Sequence, residues 1–274
     1  MLGKLIKHEW KSTYKPGCLM LGAVALITFF GWLAFQTPMW QKMSSGGSFE
    51  WLDLFGIFTL IMYVVMLVVV NYGILIYVGV HFYRTMYTDE GYLLHTLPVT
   101  KHEILFSKVL VGSLWMLFVV VSIWLSVFLL GLSMVSAVLP DQYSLIEFWG
   151  EFQYEMRDVF RLMGVEVDAL FLLTLLISLL TPFVSVTTLF GAISIGQLSS
   201  KYRVLMAIVA YVGILVGESL ISSVIRSILT FSRISGMGNY LSRTANFDFL
   251  VKLLVAVGLY FISWHVINNK LNMN

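Results

Sequence analysis

Six long apolar segments divide this chain of 274 residues, and they limit its fold more than any other feature. A helix needs about 20 mostly apolar residues to cross a hydrocarbon core of about 30 Å, and each segment is close to or above that length. Hydrophobic residues make up 59% of the chain and charged residues 12%, far from soluble domains with about 25% charged residues. The segments are 17–37, 54–83, 104–139, 169–198, 204–229 and 249–267.

These segments predict an all-α membrane protein with six transmembrane helices in a single transmembrane domain. A membrane barrel is the weaker interpretation, because its strands are shorter, near ten residues, and alternate between apolar and polar positions. Ten of the 17 Lys and Arg would face the cytoplasm if the N-terminus lies inside. The positive-inside rule therefore predicts a multi-pass protein with both termini cytoplasmic.

The N-terminal segment 1–16 combines apolar residues at helical spacing with lysines on another side. Such a basic amphipathic helix lies in the membrane interface, and Pro16 with Gly17 would form the corner before the first span. We therefore expect an interfacial elbow helix over 1–16. An ordinary positively charged flank of a membrane anchor is an equally good interpretation of the segment alone.

The most polar stretch between two spans is 84–103, which connects two segments that are longer than a bilayer requires. The pattern predicts a short transverse helix that begins near Asp89, carries leucines at helical spacing and stops at Pro98. Thr100 and Glu103 form a capping box, so the next helix should begin near Lys101. Exposed leucines at this spacing suit a groove on a soluble partner, although a plain loop folded back on the bundle is the alternative.

The run "YRTMYTDEGYLLHTLPVTKHEILFSKVL" resembles the permease subunits of bacterial ABC-2 type transporters. The resemblance implies a dimer with an identical or related second permease, a separate ABC ATPase, and an interrupted segment before the last span in a bacterial plasma membrane. It also implies that the 84–103 loop is the coupling element seated in the ATPase. Its coupling residues would be Asp89, Glu90, Gly91, Tyr92, Leu93, Leu94, Leu97, Pro98 and Val99.

Enzyme motifs are missing from the sequence. No GxxxxGK[ST] loop is present, so ATP and Mg²⁺ would belong to the partner ATPase and this chain would bind no cofactor of its own. His102 and Glu103 do not open an HExxH zinc helix because Phe106 occupies the second histidine position, and His102 is expected to be a solvated loop residue. We predict no catalytic residue, no metal site and no nucleic-acid partner.

A few polar and small residues within the spans are candidates for a translocation path or a dimer seam. Glu218 lies in the fifth segment, where an ionisable group is costly unless it is paired, protonated or hydrated. With Arg226 and Asn71 it could line a path, or it could simply be protonated or bonded to serines. Gly213 and Gly217 form a GxxxG spacing that permits a dimer seam, although the motif is common by chance.

The segment 140–168 is amphipathic with an acidic stripe and should lie outside, as a lid or as the wet face of an interfacial helix. The whole pattern predicts the permease of an ATP-driven exporter of a peptide, lipid-like or antimicrobial substrate, in contact with membrane lipid. A secondary transporter or channel that uses Glu218, or a membrane immunity or scaffold protein that transports nothing, are the alternatives.

Overall fold

Six helices form the described part of the chain, and no strand occurs among its residues. The computed structural model describes residues 2–35, 51–88, 91, 98–138, 150, 154, 169–199, 201–231 and 237–269. The helices are α1 (Leu2–Phe35), α2 (Trp51–Tyr87), α3 (Lys101–Val138), α4 (Ala169–Gly196), α5 (Arg203–Phe231) and α6 (Met237–Asn269). The predicted all-α class is confirmed.

All six helices are long and apolar enough to cross a membrane, as expected for a multi-pass membrane protein. The prediction that the second and third helices are unusually long is also confirmed. At 1.5 Å per residue, the 37 residues of α2 extend over about 56 Å and the 38 residues of α3 over about 57 Å. Each is well above the thickness of a hydrocarbon core, so the length of both helices leaves several turns for contacts outside it.

The expected corner at Pro16 is wrong, because α1 continues through Pro16 without a break. A proline inside a helix removes one backbone donor and crowds the preceding turn, so a local support is needed. Trp115 of α3 supplies it: its Nε1 donates to Thr13 Oγ1 at 3.0 Å, and a Cβ on Gly17 would lie 2.3 Å from its ring. Trp10 stacks on the same ring at 4.7 Å. The indole thus holds α1 on both sides of the proline.

The chain divides into two compact units. Unit 1 contains Met1–Glu9, Val78–Leu114 and Gly150–Asn274, and unit 2 contains Trp10–Tyr77 and Trp115–Trp149. In unit 1, α4 packs against α5 and α6, which also pack against each other. Phe82 of α2 stacks on Phe190 of α4 with ring centroids 3.8 Å apart, and both side chains are buried.

Glycines allow the helices of unit 1 to approach closely. A Cβ on Gly112 of α3 would lie 2.7 Å from Val78 of α2, and a Cβ on Gly191 of α4 would lie 2.5 Å from Leu259 of α6. Small residues have this role at helix contacts within membranes, where close van der Waals packing replaces the hydrophobic effect. The core of unit 1 is therefore dense around α4.

The interrupted segment implied before the last span is not found in the described residues. Helix α5 runs unbroken to Phe231, and α6 already begins at Met237, twelve residues before the predicted span. The serines of α5 do not disturb it, because Ser223 Oγ donates to the carbonyl of Leu220 within the same helix. Hydroxyls that bond back to their own helix satisfy themselves without breaking it.

Candidate functional site

A buried polar cluster lies at the base of the α2–α3 connection in unit 1. Lys108 Nζ of α3 donates to Glu9 Oε2 of α1 at 3.0 Å and to Thr85 Oγ1 of α2 at 2.7 Å. The other oxygen of the carboxylate, Glu9 Oε1, lies 2.9 Å from His81 Nε2 of α2. We call Glu9, His81, Thr85 and Lys108 the Glu9 cluster. It connects three helices through one glutamate.

Burial makes the Glu9 cluster a strong constraint. Glu9 is 9% exposed and Lys108 is 4% exposed. An ionised side chain this deep is stable only if its charge is paired and its hydrogen-bonding atoms are satisfied. Both conditions hold here, since each carboxylate oxygen has a partner and the ammonium has two. The start of α1, the end of α2 and the start of α3 are therefore held at one point.

Further contacts join the same part of α2 and α3 to α4 and α6. Tyr87 OH, at the end of α2, is 2.8 Å from Ser194 Oγ of α4. Lys101 Nζ donates to the last carbonyls of α6, those of Ile267 at 3.1 Å and Asn268 at 3.2 Å. The last carbonyls of a helix have no N–H donor within that helix, so a lysine is a favourable partner for them. The ends of α2 and α3 are thus fixed to α4 and α6 as well as α1.

His102 is exposed, as expected, but it belongs to a helix and not to a loop. It lies in the first turn of α3, and its Nδ1 is 2.9 Å from Tyr260 OH of α6. The capping box explains why the helix already includes it: Glu103 N donates to Thr100 Oγ1 at 3.3 Å, and Thr100 N donates to Glu103 Oε2 at 3.2 Å. The predicted capping box and the start of α3 at Lys101 are confirmed.

Only three of the nine predicted coupling residues belong to the described part of the chain: Gly91, Pro98 and Val99. Gly91 is helical, and its N–H donates to the carbonyl of Thr88 at 2.8 Å. A Cβ at this position would lie 2.6 Å from the carbonyl oxygen of Met86, so a larger residue would require the backbone to shift. Outside the described residues lie Asp89, Glu90, Tyr92, Leu93, Leu94 and Leu97.

Sequence reasoning missed the Glu9 cluster, although a signal was present. His81 and Lys108 fall inside predicted spans, where an ionisable residue is a functional candidate by default. Glu9 is the one acidic residue in the first 49, and it stands among the four lysines of the first 15. Counting basic residues by the positive-inside rule treats each of them as a solvated charge, so it gives no reason to expect a buried ion pair.

The predicted path and seam residues are divided between the two units. Glu218 and Arg226 belong to unit 1, and Arg226 Nη2 is 2.7 Å from Asp248 Oδ2 rather than bonded to Glu218. Asn71 is a half-buried residue of unit 2. A Cβ on Gly213 or Gly217 would meet nothing within 4 Å, so the structure leaves that face of α5 open. The external segment 140–168 lies outside the described residues except for positions 150 and 154.

Unit 2 contains an apolar cavity of about 690 Å³ between α1 and α3. Its volume is typical of small-molecule sites. Thr28 and Ser126 lie in its wall, where Thr28 Oγ1 donates to Ser126 Oγ at 2.6 Å and Tyr63 OH is 2.8 Å from the same oxygen. These hydroxyls are satisfied by one another, so the cavity offers mainly hydrocarbon and aromatic surface. Leu21, Val24, Phe29, Trp32, Leu125 and Leu130 are among its lining residues.

No three His, Cys, Asp or Glu side chains are grouped closely enough to hold a metal ion among the residues that the structure describes. A functional assignment rests on the contacts between the helices and on the sequence pattern alone. Comparison with protein-family models, curated proteins and solved structures finds no significant match to this chain.

Proposed function

We propose that this chain is the membrane-spanning permease subunit of an ATP-driven exporter of the ABC-2 type, in a bacterial plasma membrane with both termini cytoplasmic. The α2–α3 connection would receive a movement from a separate ABC ATPase. The chain itself would perform no covalent chemistry. A second permease subunit, identical or related, would complete the path.

The attachment of the α2–α3 connection to the rest of unit 1 is the observation that carries this proposal. A coupling element is useful only if a force applied to it reaches the membrane helices. The Glu9 cluster joins its two flanking helices to α1, the Tyr87–Ser194 contact joins them to α4, and Lys101 joins them to α6. A polar loop with leucines and no such attachments would suit passive connection instead.

The cargo class follows from the apolar cavity in unit 2. Its lining is mostly apolar and the hydroxyls of Thr28 and Ser126 are already paired, so it favours an alkyl chain or another apolar group over a charged solute. This supports a lipid-like substrate, or a peptide with a large apolar face, among the cargo classes that the sequence predicts.

Cysteine crosslinking tests the partnership directly. Cys18 is the only cysteine, so Cys18→Ser gives a background in which single cysteines can be placed at will. We expect Leu93→Cys and Leu97→Cys to crosslink to the proposed ABC ATPase partner when the two are co-expressed. ATP should change the yield, because ATPase closure would move the loop.

The matched control is Lys201→Cys, in the other short cytoplasmic connection, between α4 and α5. Crosslinks at positions 93 and 97 but not at 201 would support the proposal. An ATPase that co-purifies but crosslinks at 201 alone would contradict it, as would the absence of any co-purifying nucleotide-binding subunit.

A further inference from the structure

Four charged side chains lie on α5 and α6, two helices that pack against each other in unit 1. Glu218 and Arg226 belong to α5, and Asp248 and Lys252 belong to α6. All four lie within helical stretches apolar enough to cross a membrane, Arg203–Ile228 and Asn246–Asn268. Arg226 and Asp248 form an ion pair at 2.7 Å, which leaves Glu218 and Lys252 as the two charges to explain.

Glu218 is the buried member of this set. It is 6% exposed, and its Oε1 atom is buried with no hydrogen-bond partner. Lys252 attracts the carboxylate electrostatically, but it is exposed and donates no hydrogen bond to that oxygen. The buried oxygen therefore lacks the direct contact that would stabilise a negative charge.

The surroundings supply few other charges. Helix α4, which packs against both α5 and α6, contains no titratable residue. On α5 the titratable residues nearest to Glu218 in sequence are Tyr211 and Arg226. Among the described side chains in the first half of α6, the titratable residues are Asp248 and Lys252. Arg226 is eight residues beyond Glu218, about 12 Å along the helix, and is already paired.

A carboxylate in these surroundings needs a ligand that removes its charge. Burial of an unpaired ion is strongly unfavourable, and such groups become neutral instead. A hard metal cation requires several oxygen ligands, whereas one glutamate oxygen beside a lysine offers too few and is accompanied by a repelling charge. A proton needs only the one carboxylate.

We propose that Glu218 is a proton-binding site within α5, and that Lys252 on α6 is the counter-charge that stabilises the carboxylate when the proton leaves. The proton is held while the Glu218 side chain stays buried. Release requires the side chain to reach Lys252 or water. The site therefore couples the packing of α5 to the protonation of one residue, with or without an ATPase to drive the chain.

The probe is dicyclohexylcarbodiimide, an apolar reagent that adds to a protonated carboxyl group and leaves a stable N-acylurea on it. The full chain is labelled in lipid vesicles over a pH series, and modified peptides are identified by mass spectrometry. We expect modification at Glu218 that decreases several-fold as the pH rises. Glu9 provides the comparison within the same molecule, since its two oxygens are paired with Lys108 and His81 and it should stay unmodified.

The main measurement uses the unaltered chain and so does not depend on the folding of a variant. Glu218→Gln should remove the label from its peptide. Lys252→Met should increase labelling at neutral pH because the charge that favours the carboxylate is lost, and Lys252→Arg should restore the original level. Each of these results supports the site.

Three results would overturn the proposal. Equal labelling of Glu9 and Glu218 would mean that the two carboxyls do not differ in protonation. An unmodified Glu218 at every pH would mean that it is ionised or paired in the membrane. Protection of Glu218 by Na⁺, K⁺ or Li⁺ at constant pH would assign the site to a metal cation.

Discussion

At the Glu9 cluster both oxygens of a buried carboxylate have partners, whereas at Glu218 one buried carboxylate oxygen has none. The two residues are almost equally covered, at 9% and 6% exposure. Their helices differ less, because 17% of the most apolar part of α1 is buried and 6% of that of α5. Burial is alike at the two carboxylates, and pairing is what separates them.

This difference separates a region that is held by many contacts from a helix that can change its packing. Contacts from α1, α2, α3, α4 and α6 converge at the base of the α2–α3 connection. Helix α5 has an open face and a buried acid without a direct partner. A force applied to the first region would therefore be transmitted to several helices. Binding of a ligand at the second region would instead alter the packing of α5.

The largest expected effect is the loss of the charge pair in the Glu9 cluster. Glu9→Gln leaves Lys108 buried without its carboxylate, which should lower the free energy of unfolding by about 3–5 kcal/mol. Thermal unfolding in detergent, followed by circular dichroism, measures it. The double variant Glu9→Gln, Lys108→Met removes the orphaned charge and should recover much of the loss; a double variant no better than the single one would show that charge pairing is not what stabilises this region.

The next effect concerns two glycines in the two regions. Gly91→Ala places a Cβ 2.6 Å from the carbonyl oxygen of Met86 and should destabilise the protein by about 1–3 kcal/mol. Gly213→Ala meets nothing within 4 Å and should stabilise α5 by up to about 1 kcal/mol through helix propensity. The same unfolding assay compares them. A loss at Gly213 would instead indicate that a second copy covers this face, as the GxxxG spacing predicts.

The number and type of the helices could be predicted from the sequence because lipid requires long apolar helices, and that requirement is visible in each segment. The capping box at Thr100 and Glu103 could be predicted because it is local, three residues apart. The Glu9 cluster could not, since it joins residues 72 and 99 positions apart and depends on how three helices pack.

The path of α1 could not be predicted for the same reason. Pro16 followed by Gly17 favours a corner by local rules, but Trp115, about a hundred residues away, packs against that turn. The interrupted segment before α6 came from the family resemblance and not from the residues, and the described helices do not contain it. Features set by neighbouring residues, such as the capping box, could be predicted from the sequence. The path of α1 could not, because it depends on packing between residues far apart in the chain.

A smaller effect compares hydroxyls. Tyr87→Phe removes the contact with Ser194 that joins α2 to α4 and should lower the free energy of unfolding by about 1 kcal/mol. Ser223→Ala on α5 removes only a bond to its own helix and should stay within about 0.5 kcal/mol of the unaltered chain. Equal losses at the two positions would mean that the hydroxyl contact between helices adds nothing to the anchoring of α2.

The smallest effect is expected at Glu218, and it is the sharpest contrast with Glu9. Glu218→Gln keeps the shape of a protonated side chain and breaks no hydrogen bond at the buried Oε1 atom, so stability should change by less than about 0.5 kcal/mol. Unfolding of Glu9→Gln and Glu218→Gln under the same conditions gives the comparison directly. A loss of several kcal/mol at Glu218 would mean that its carboxylate is ionised and paired in the membrane, with Lys252 or with a second subunit. Glu9 and Glu218 would then both be stabilised by charge pairing.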